Sequence, residues 1–339
     1  MRKIAIILFN LGGPDSLDAV QPFLFNLFND RAIITAPQPI RAGIAALIST
    51  TRTKLAKANY ALMGGRSPLL PETQAQADAL QKRLENAEAE FRVFIAMRYW
   101  KPFTADAARA AREWGAEEAL LVPLYPQFST TTTGSSLGAW RSVWQGPSRT
   151  LCCYPTGKSF AQAHADAILA AWEKGGSPPN PRVLFSAHGL PKRVIDGGDP
   201  YQWQVEQTVD QVSAKLPAAW QKRLSYQSRV GPLEWIGPST EEEIDAALRD
   251  RIGLIVSPIA FVSEHVETLV ELDIDYGKRA AAAPFYLRAK ALGIADGLID
   301  TLAAQCLRLA STTAPVSCAA GLRLCPARFT QCPNSEPQA

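Results

Sequence analysis

The stretch Arg182–Pro191, RVLFSAHGLP, joins an apolar run to an abrupt stop. Val183, Leu184 and Phe185 are typical of a strand that is buried on both faces of a parallel sheet. A glycine and a proline interrupt the pattern directly after His188. Because ligands of open parallel sheets bind beyond the carboxyl ends of the strands, His188 is a candidate functional residue. A loop histidine that is satisfied by backbone groups is the alternative.

The same arrangement occurs at the start of the chain, where the apolar run Ile4–Phe9 precedes Gly12–Pro14. A second pair of similar segments, Val122–Ser129 and Val256–Ser263, follows in the same order. These pairs indicate two related halves, with extra chain in the first half at about residues 27–68. Chance similarity between apolar strands is the alternative.

Apolar runs alternate with helical patterns along the whole chain. This alternation favours an α/β protein with parallel sheets flanked by helices. The predicted strands are Ile4–Phe9, Phe91–Met97, Ala119–Leu124, Arg182–Ser186, Leu224–Gln227 and Gly253–Ser257. The predicted helices include Thr73–Ala89, Thr104–Trp114, Tyr201–Leu216 and Thr240–Asp250.

The composition excludes several classes of protein. Hydrophobic residues make up 47% of the 339 residues, which is too many for a disordered chain. A net charge of +3 does not indicate a nucleic-acid partner. No segment reaches the roughly 18 apolar residues of a membrane helix. The six cysteines begin only at Cys152, so they do not form a distributed disulfide framework, and we expect a reducing cytoplasm.

The segment Ser263–Tyr276, SEHVETLVELDIDY, follows closely after a predicted buried strand. It contains His265 and three acidic residues spaced by four, Glu267, Glu271 and Asp275. On a helix this spacing places the carboxylates on one face. An imidazole beside several carboxylates suits a divalent metal or proton transfer, and a solvated charged face is the alternative.

Aromatic and arginine residues lie beside other predicted strand ends, namely Arg98, Tyr99, Tyr125 and Trp235. Together they suit a pocket for a large flat ligand with acidic substituents, in which Arg98 pairs with a carboxylate. Individually they are also compatible with core or rim positions.

Three cysteines near the C-terminus, Cys318, Cys325 and Cys332, are each separated by six residues. Thiolate ligands suit zinc or an iron–sulfur cluster, and uncoordinated thiols are the alternative. Candidates for a fourth ligand are Cys152, Cys153 and Cys306.

Eight motifs of the chain carry a family resemblance. They are LFNLGGPDS, MGGRSP, MRYWKP, LYPQFSTTTTGSS, FSAHGLP, GDPYQWQV, VGPLEWIGPST and PIAFVSEHVETLVELDIDY. In this order they resemble the ferrochelatases, the enzymes that insert Fe(II) into a porphyrin. The similarity extends from about residue 4 to residue 310, and SAHGLP followed by SEHVETLVELDIDY is its most specific part.

The resemblance implies an organisation for the whole chain. Two Rossmann-like domains, at 1–150 and 151–310, would have a porphyrin cleft between them, and a cysteine-bearing extension would follow at 311–339. The extra segment at about 27–68 resembles a lip over the pocket mouth, which would let the enzyme rest on a bilayer and exchange a poorly soluble porphyrin. Its apolar residues include Phe28, Ile33, Ile34 and Ile40. Simple cover of the first domain is the alternative.

By this resemblance, His188 and Glu267 face the centre of the macrocycle as catalytic and metal-binding residues. Glu271 and Asp275 resemble an acidic path for metal or protons, and His265 belongs to the same motif. The positions that contact the porphyrin correspond to Asn10, Leu11, Arg98, Tyr99, Tyr125 and Trp235. The remaining histidine, His164, is expected at the surface.

Some ferrochelatases hold a two-iron two-sulfur cluster on four cysteines, one of which lies in the loop that here carries Thr130. That ligand is therefore absent. Some bacterial members take it from a later position of the first half, which Cys152 or Cys153 matches. The resemblance thus implies a 2Fe-2S cluster on one of these two cysteines and the three C-terminal ones.

The expected activity is the insertion of Fe(II), a substrate, into protoporphyrin IX, with coproporphyrin III as the second choice. We expect a cytoplasmic enzyme of haem biosynthesis that contacts the inner face of the cell membrane peripherally through the lip. A cobalt or sirohydrochlorin chelatase and a non-catalytic tetrapyrrole carrier are the more distant alternatives. A carrier has no evident use for the acidic stripe.

Overall fold

The computed structural model describes residues 2–85, 87–229 and 231–334, which form two compact units. Unit 1 contains the residues up to Cys152 together with Leu302–Ser317. Unit 2 contains Cys153–Thr301 together with the residues from Cys318 onward. The predicted extension at 311–339 is divided between the two units, and its residues 335–339 lie outside the described part.

Strands and helices alternate along the described chain. The strands are β1 (Lys3–Asn10), β2 (Glu90–Met97), β3 (Glu118–Pro123), β4 (Ser148–Leu151), β5 (Arg182–His188), β6 (Gln221–Gln227), β7 (Leu254–Pro258), β8 (Tyr286–Arg288) and β9 (Val316–Ser317). The helices are α1 (Val20–Phe28), α2 (Gln38–Ala61), α3 (Leu69–Arg83), α4 (Thr104–Trp114), α5 (Thr133–Val143), α6 (Lys158–Lys174), α7 (Lys192–Asp196), α8 (Tyr201–Ser213), α9 (Thr240–Asp250), a π-helix (Glu267–Tyr276), α10 (Gly277–Arg279) and α11 (Asp296–Ser311). Within the described ranges, no helix is both long and apolar enough to cross a membrane.

Each unit is built on a parallel sheet. The strand order is β2-β1-β3-β4-β9 in unit 1 and β6-β5-β7-β8 in unit 2. The first four strands of both units therefore follow the same order, in agreement with two related halves. The predicted α/β class, with parallel sheets flanked by helices, is confirmed.

The strands β1 and β5 are inner strands of their sheets, because each pairs with a neighbouring strand on both sides. The side chains of Ile4–Phe9 in β1 and Val183–Phe185 in β5 are fully buried. Burial of one such side chain stabilises the fold by about 1.5–3 kcal/mol. Each sheet is thus a rigid support for the residues that follow the carboxyl ends of its strands.

Residues Glu267–Tyr276 form a π-helix, a rare element that occurs frequently at functional sites. Its start is fixed by Thr268, whose Oγ1 accepts from His265 N at 2.9 Å. Thr268, Leu272 and Tyr276 are buried in unit 2, so the helix is anchored along one side. The predicted helical placement of the acidic residues is therefore modified, because a π turn contains more residues than an α turn.

Candidate active site

A histidine and a glutamate meet at the carboxyl end of β5. His188 Nδ1 lies 2.9 Å from Oε2 of Glu267, the first residue of the π-helix. The backbone of this strand end is fixed, because Gly189 N donates to Gln227 O at 2.9 Å and Tyr201 OH donates to His188 O at 3.0 Å. The side chains of His188 and Glu267 are 37% and 26% exposed. The pair is therefore held in place and open to a substrate.

The two partners shift each other's pKa in opposite directions. Burial lowers the pKa of His188, but the Glu267 carboxylate and its hydrogen bond outweigh burial and raise that pKa above its ordinary value. Burial raises the pKa of Glu267, but His188, its hydrogen bond and His265 bring it down to about 2. Glu267 is therefore ionised at neutral pH and favours a proton on His188.

A second imidazole lies beside the same carboxylate. His265 Nε2 is 3.7 Å from Glu267 Oε2, and its ring packs on Phe261 with 4.5 Å between centroids. Burial lowers the pKa of His265 more than Glu267 and Glu264 raise it. His265 is therefore a neutral imidazole at neutral pH, which is the form that binds metals.

The Glu271 carboxylate is the next acidic group along the π-helix and accepts several hydrogen bonds. The donors are Ser228 N at 2.9 Å, Ser228 Oγ at 2.5 Å, Gln227 Nε2 at 3.0 Å and Tyr276 OH at 2.9 Å. Burial and the neighbouring Glu267 nevertheless raise the pKa of Glu271. This carboxyl therefore takes up a proton more readily than an ordinary glutamate.

Gln227 connects the two carboxylate positions, because its Nε2 also donates to Glu267 O at 3.1 Å. Sequence reasoning missed Gln227, although it ends a predicted strand at the same sheet edge as His188. Asp275, the third residue of the predicted stripe, is exposed, and its carboxylate has no hydrogen bond or ion pair within the described residues. The structure thus brings Glu267 and Glu271 together and leaves Asp275 at the surface.

Arg288 of β8 clamps the segment that leads into the π-helix. It pairs with Glu264 at 2.8 Å and also with Asp273. Sequence reasoning missed this arginine, which has no motif of its own.

Trp235 packs against the strand end that carries His188. A side chain at position 189 would place its Cβ 2.8 Å from Gln227 O and 3.4 Å from the Trp235 ring, which explains the glycine there. The backbone of Trp235 pairs with Pro191. Its buried indole Nε1 has no hydrogen-bond partner among the described residues. Porphyrin contact by Trp235 stays a prediction.

In unit 1, the side chain of Asn10 forms hydrogen bonds with neighbouring residues of the protein. Its Nδ2 donates to Thr73 Oγ1 at 2.9 Å, and its Oδ1 accepts from Leu11 N at 2.8 Å. Asn10 is 5% exposed, whereas Leu11 is half-buried. The amide side chain therefore shapes the loop after β1, and porphyrin contact by either residue stays a prediction.

Arg98 and Tyr99 converge on Asp30, an acidic residue that sequence reasoning missed. Arg98 Nη2 lies 2.8 Å from Asp30 Oδ2, and Tyr99 OH donates to the same oxygen at 2.8 Å. Tyr99 is buried, and burial raises its pKa. Tyr125 is half-buried, and burial likewise raises its pKa. Of these predicted porphyrin contacts, Arg98 has the charged side chain that can face a substrate.

All six cysteines are buried, and the C-terminal ones lie in unit 2. A hydrogen bond between the Cys325 and Cys332 side chains is the main cause that brings the pKa of Cys332 down to about 7, against the effect of burial. Gln204 Nε2 of α8 donates to Cys325 Sγ at 3.0 Å. Burial raises the pKa of Cys306 to about 12, so this thiol is a poor source of thiolate. Across the described residues, no three His, Cys, Asp or Glu side chains are grouped so as to hold a metal ion.

The prediction that His164 lies at the surface is wrong. His164 is 1% exposed on α6, its ring packs edge-on against Phe160, and burial lowers its pKa to about 3. The small alanines around it in the sequence hid the buried face of this helix.

The fold is that of the chelatases. SirB from Bacillus subtilis with Fe3+ aligns with a TM-score of 0.53 and 12% identity over 92% of this chain and 96% of that chain. The sirohydrochlorin chelatase SirB from Bacillus subtilis subspecies spizizenii, in complex with cobalt, aligns with a TM-score of 0.52 and 9% identity. That alignment covers 89% of this chain and 92% of that chain. At these identities the likeness concerns the fold alone.

The sequence comparisons are more specific. The family model described as Ferrochelatase matches residues 3–308. Proteins named Ferrochelatase from Caulobacter vibrioides (strain NA1000 / CB15N) and Hyphomonas neptunium are 56% and 53% identical, each over 99% of this chain and over 98% and 96% of their own lengths. The chain belongs to the ferrochelatase family. It is a porphyrin metal chelatase of haem biosynthesis with Fe(II) and a porphyrin as substrates, which confirms the resemblance seen in the motifs.

Proposed function

We propose that His188 and Glu267 perform the metalation chemistry and that the porphyrin is protoporphyrin IX. The observation that carries this proposal is the 2.9 Å contact between His188 Nδ1 and Glu267 Oε2 at the accessible end of β5. With a proton on Nδ1, the imidazole has an available lone pair on Nε2. Within the described residues, Nε2 has no hydrogen-bond partner, so it is available to a substrate.

The chemistry requires a base, because pyrrole protons must leave as Fe(II) enters the ring. A planar macrocycle resists this exchange, and a site that favours a bent macrocycle binds the transition state better than the ground state. His188 Nε2 accepts a pyrrole proton, and the Glu267 carboxylate stabilises the imidazolium that forms. Glu267 is thus suited to hold His188 in the right tautomer throughout.

The π-helix side chains suit the handling of iron and released protons. Ionised Glu267 and neutral His265 are 3.7 Å apart, and both are ligand types that Fe(II) accepts. Glu271 follows with a raised pKa and can receive a proton. Among the described residues no three such side chains hold a metal ion by themselves, so the porphyrin nitrogens would supply the remaining ligands. We therefore assign the delivery of Fe(II) to the ring to His188, His265 and Glu267, and the outward path to Glu271 and exposed Asp275.

His188→Ala and Glu267→Gln test this assignment in purified protein supplied with Fe(II) and protoporphyrin IX. We expect His188→Ala to lower turnover by at least about a hundredfold, while the porphyrin Kd from fluorescence quenching changes little. Glu267→Gln should lower kcat at saturating porphyrin. The exposed substitution Glu113→Gln on α4 is the control. Near-normal turnover of His188→Ala would sink the proposal, and an effect of Glu267→Gln confined to porphyrin KM would mean a binding role.

The choice of porphyrin is tested in the same assay with protoporphyrin IX, coproporphyrin III and sirohydrochlorin. Protoporphyrin IX carries fewer propionates than coproporphyrin III, which suits an aromatic-rich surrounding in which Arg98 is the charged candidate. Faster metalation of coproporphyrin III would reverse this choice. A tetrapyrrole carrier would bind a chromophore without metalating it.

We further propose a 2Fe-2S cluster in unit 2, with Cys153 as its fourth ligand. Thiols are the ligands of such clusters, and Cys325 and Cys332 already contact each other. Cys153 lies in the same unit as the C-terminal cysteines, whereas Cys152 belongs to unit 1. Ala319 N donates to Cys153 O at 2.9 Å, which holds Cys153 beside the residue that follows Cys318. When bound, the cluster would have a structural or sensory role, because metalation transfers no electrons.

We also propose that the lip segment (27–68) contacts the cytoplasmic face of the cell membrane peripherally. Ile40 is 58% exposed, and α2 continues from it with other exposed leucines. Phe28, Ile33 and Ile34 are only half-buried. An exposed apolar surface of this kind suits a lipid boundary and the exchange of a poorly soluble porphyrin.

A further inference from the structure

Asp30, the residue that follows the C-cap of α1, is a meeting point of several donors. Its Oδ2 accepts from Arg98 Nη2 at 2.8 Å, from Tyr99 OH at 2.8 Å and from Ser135 Oγ. Its Oδ1 accepts from Ala32 N at 2.9 Å. Asp30 is only 7% exposed, so these contacts replace the water that a carboxylate needs.

Asp30 and Ser135 fix one edge of the Arg98 guanidinium. Arg98 Nε donates to Ser135 Oγ at 2.6 Å, and Nη2 pairs with Asp30. The guanidinium carbon also lies 5.0 Å from the centre of the Tyr99 ring. Within the described residues, Nη1 has no partner, and the Arg98 side chain is 25% exposed. The Nε and Nη2 edge of the planar guanidinium is therefore held in place, and the Nη1 edge is free to bind a ligand.

We propose that Asp30 is a positioning residue, which holds Arg98 so that its Nη1 edge receives a carboxylate of the porphyrin. This inference rests on the proposed function, in which Arg98 binds the substrate. Bidentate recognition of a carboxylate depends on the orientation of the planar guanidinium. A restrained guanidinium therefore binds a carboxylate better than a mobile one.

Positioning and charge predict opposite results for Asp30→Asn. If Asp30 only neutralised Arg98, its removal would leave a stronger cation and tighter binding of an anionic porphyrin. If Asp30 positions Arg98, the asparagine amide cannot accept from Arg98, Tyr99 and Ser135 on one side and also from Ala32 N on the other. The Arg98 guanidinium then loses its orientation, and binding of the porphyrin carboxylate weakens.

The experiment compares steady-state metalation of protoporphyrin IX and of its dimethyl ester in detergent. For Asp30→Asn we expect a rise of about tenfold in KM for the diacid, with kcat nearly unchanged and no change for the ester. Arg98→Leu should raise the same KM. The double variant should be no worse than Arg98→Leu alone, because Asp30 acts through Arg98. Asp18→Asn, a fully exposed carboxylate of the same unit, is the matched control.

The outcomes separate this inference from the proposed function. An unchanged KM in Arg98→Leu would remove Arg98 from substrate binding and the inference with it. A raised KM in Arg98→Leu, with an unchanged or lowered KM in Asp30→Asn, would overturn the inference alone, as would additive effects in the double variant. If Asp30→Asn does not fold, Ser135→Ala carries the same test. It removes the hydroxyl that bridges Asp30 and Arg98, and should raise KM for the diacid but not for the ester.

Discussion

The histidines of the chain experience three different electrostatic environments. His164 has burial alone, which lowers its pKa to about 3. His265 is also buried, which lowers its pKa. The neighbouring carboxylates raise that pKa by less, so it stays below its ordinary value. His188 has a direct hydrogen bond to Glu267, and its pKa is raised despite burial. Only the residue at the strand end is therefore prepared to hold a proton near neutral pH.

We expect nitrogen-15 NMR of the imidazoles to show this difference directly. His188 should titrate above the ordinary value of 6.5, while His164 and His265 titrate below it. In Glu267→Gln the His188 pKa should fall, because the carboxylate that favours its proton is gone. Single His→Asn variants assign the signals. A His188 titration that begins below 6.5, or that does not respond to Glu267→Gln, would contradict this electrostatic picture.

The same pair has consequences for stability. Because the pKa of His188 is raised on folding, this residue stabilises the folded protein below pH 6.5. That stabilisation is lost as the pH rises through the pKa of His188 in the folded state. A lowered Glu267 pKa contributes stability above 4.5 that is lost as pH falls toward about 2. The stability difference between the wild type and Glu267→Gln should therefore be largest between these limits, and urea titrations across pH measure it.

At the scale of elements, the long strands were predictable because they are apolar runs. The predicted Ile4–Phe9 differs from β1 by one residue at each end, and α4 and α9 match their predicted bounds. The strands β4, β8 and β9 contain only four, three and two residues, too few for a recognisable pattern. The π-helix was also hidden, because its apolar and acidic spacing fits an ordinary helix.

The site was predictable only where local motifs carry it. His188 ends a buried strand and Glu267 follows another, each within a recognisable motif, and the structure joins them. Asp30 and Ser135 are 105 residues apart in the chain, so their contact depends on the tertiary fold. Tyr276 lies in a recognised motif, but its hydrogen bond to Glu271 depends on the π-helical turn.

The helix α2 presents an apolar stripe that tests the membrane proposal. Ile40, Leu47 and Leu55 are 58%, 66% and 69% exposed, and their spacing of seven and eight residues places them on one helical face. Between Gln38 and Ala61 the sequence has basic residues and no acidic one. An apolar stripe with basic neighbours is typical of a helix that lies on an anionic bilayer.

We expect Leu47→Glu combined with Leu55→Glu to weaken binding to phosphatidylglycerol vesicles by at least about tenfold, because apolar burial is replaced by repelled charge. Vesicle sedimentation measures the effect, and phosphatidylcholine vesicles separate the electrostatic part. Leu307→Glu, at a 45% exposed leucine of α11, is the matched control. Equal sedimentation of the wild type and the double variant with the vesicles would mean that the apolar stripe does not bind the membrane.

At the scale of the whole molecule, the C-terminal region is shared between the units. The chain leaves unit 1 after Cys152, returns at Leu302 within α11, and leaves again after Ser317. The two residues of β9 pair with β4 in unit 1. The following segment packs on unit 2, where Phe329 and Trp203 lie 5.7 Å apart between ring centroids. The cysteines from Cys318 onward therefore share a unit with α8.

This division predicts which of the two adjacent cysteines would be the fourth ligand of the proposed cluster. A cluster needs thiolates that are held together. The backbone of Cys153 pairs with Ala319, which follows Cys318, whereas the backbone of Cys152 pairs with Ser317 of β9 in unit 1. We expect anaerobically purified Cys153→Ser to lose visible absorption, acid-labile sulfide and iron, from about two atoms per chain to almost none. Cys152→Ser should retain all of them, and Cys332→Ser is the control for loss. Loss in Cys152→Ser alone would exchange the two assignments, and bound zinc without iron in the wild type would rule out the cluster.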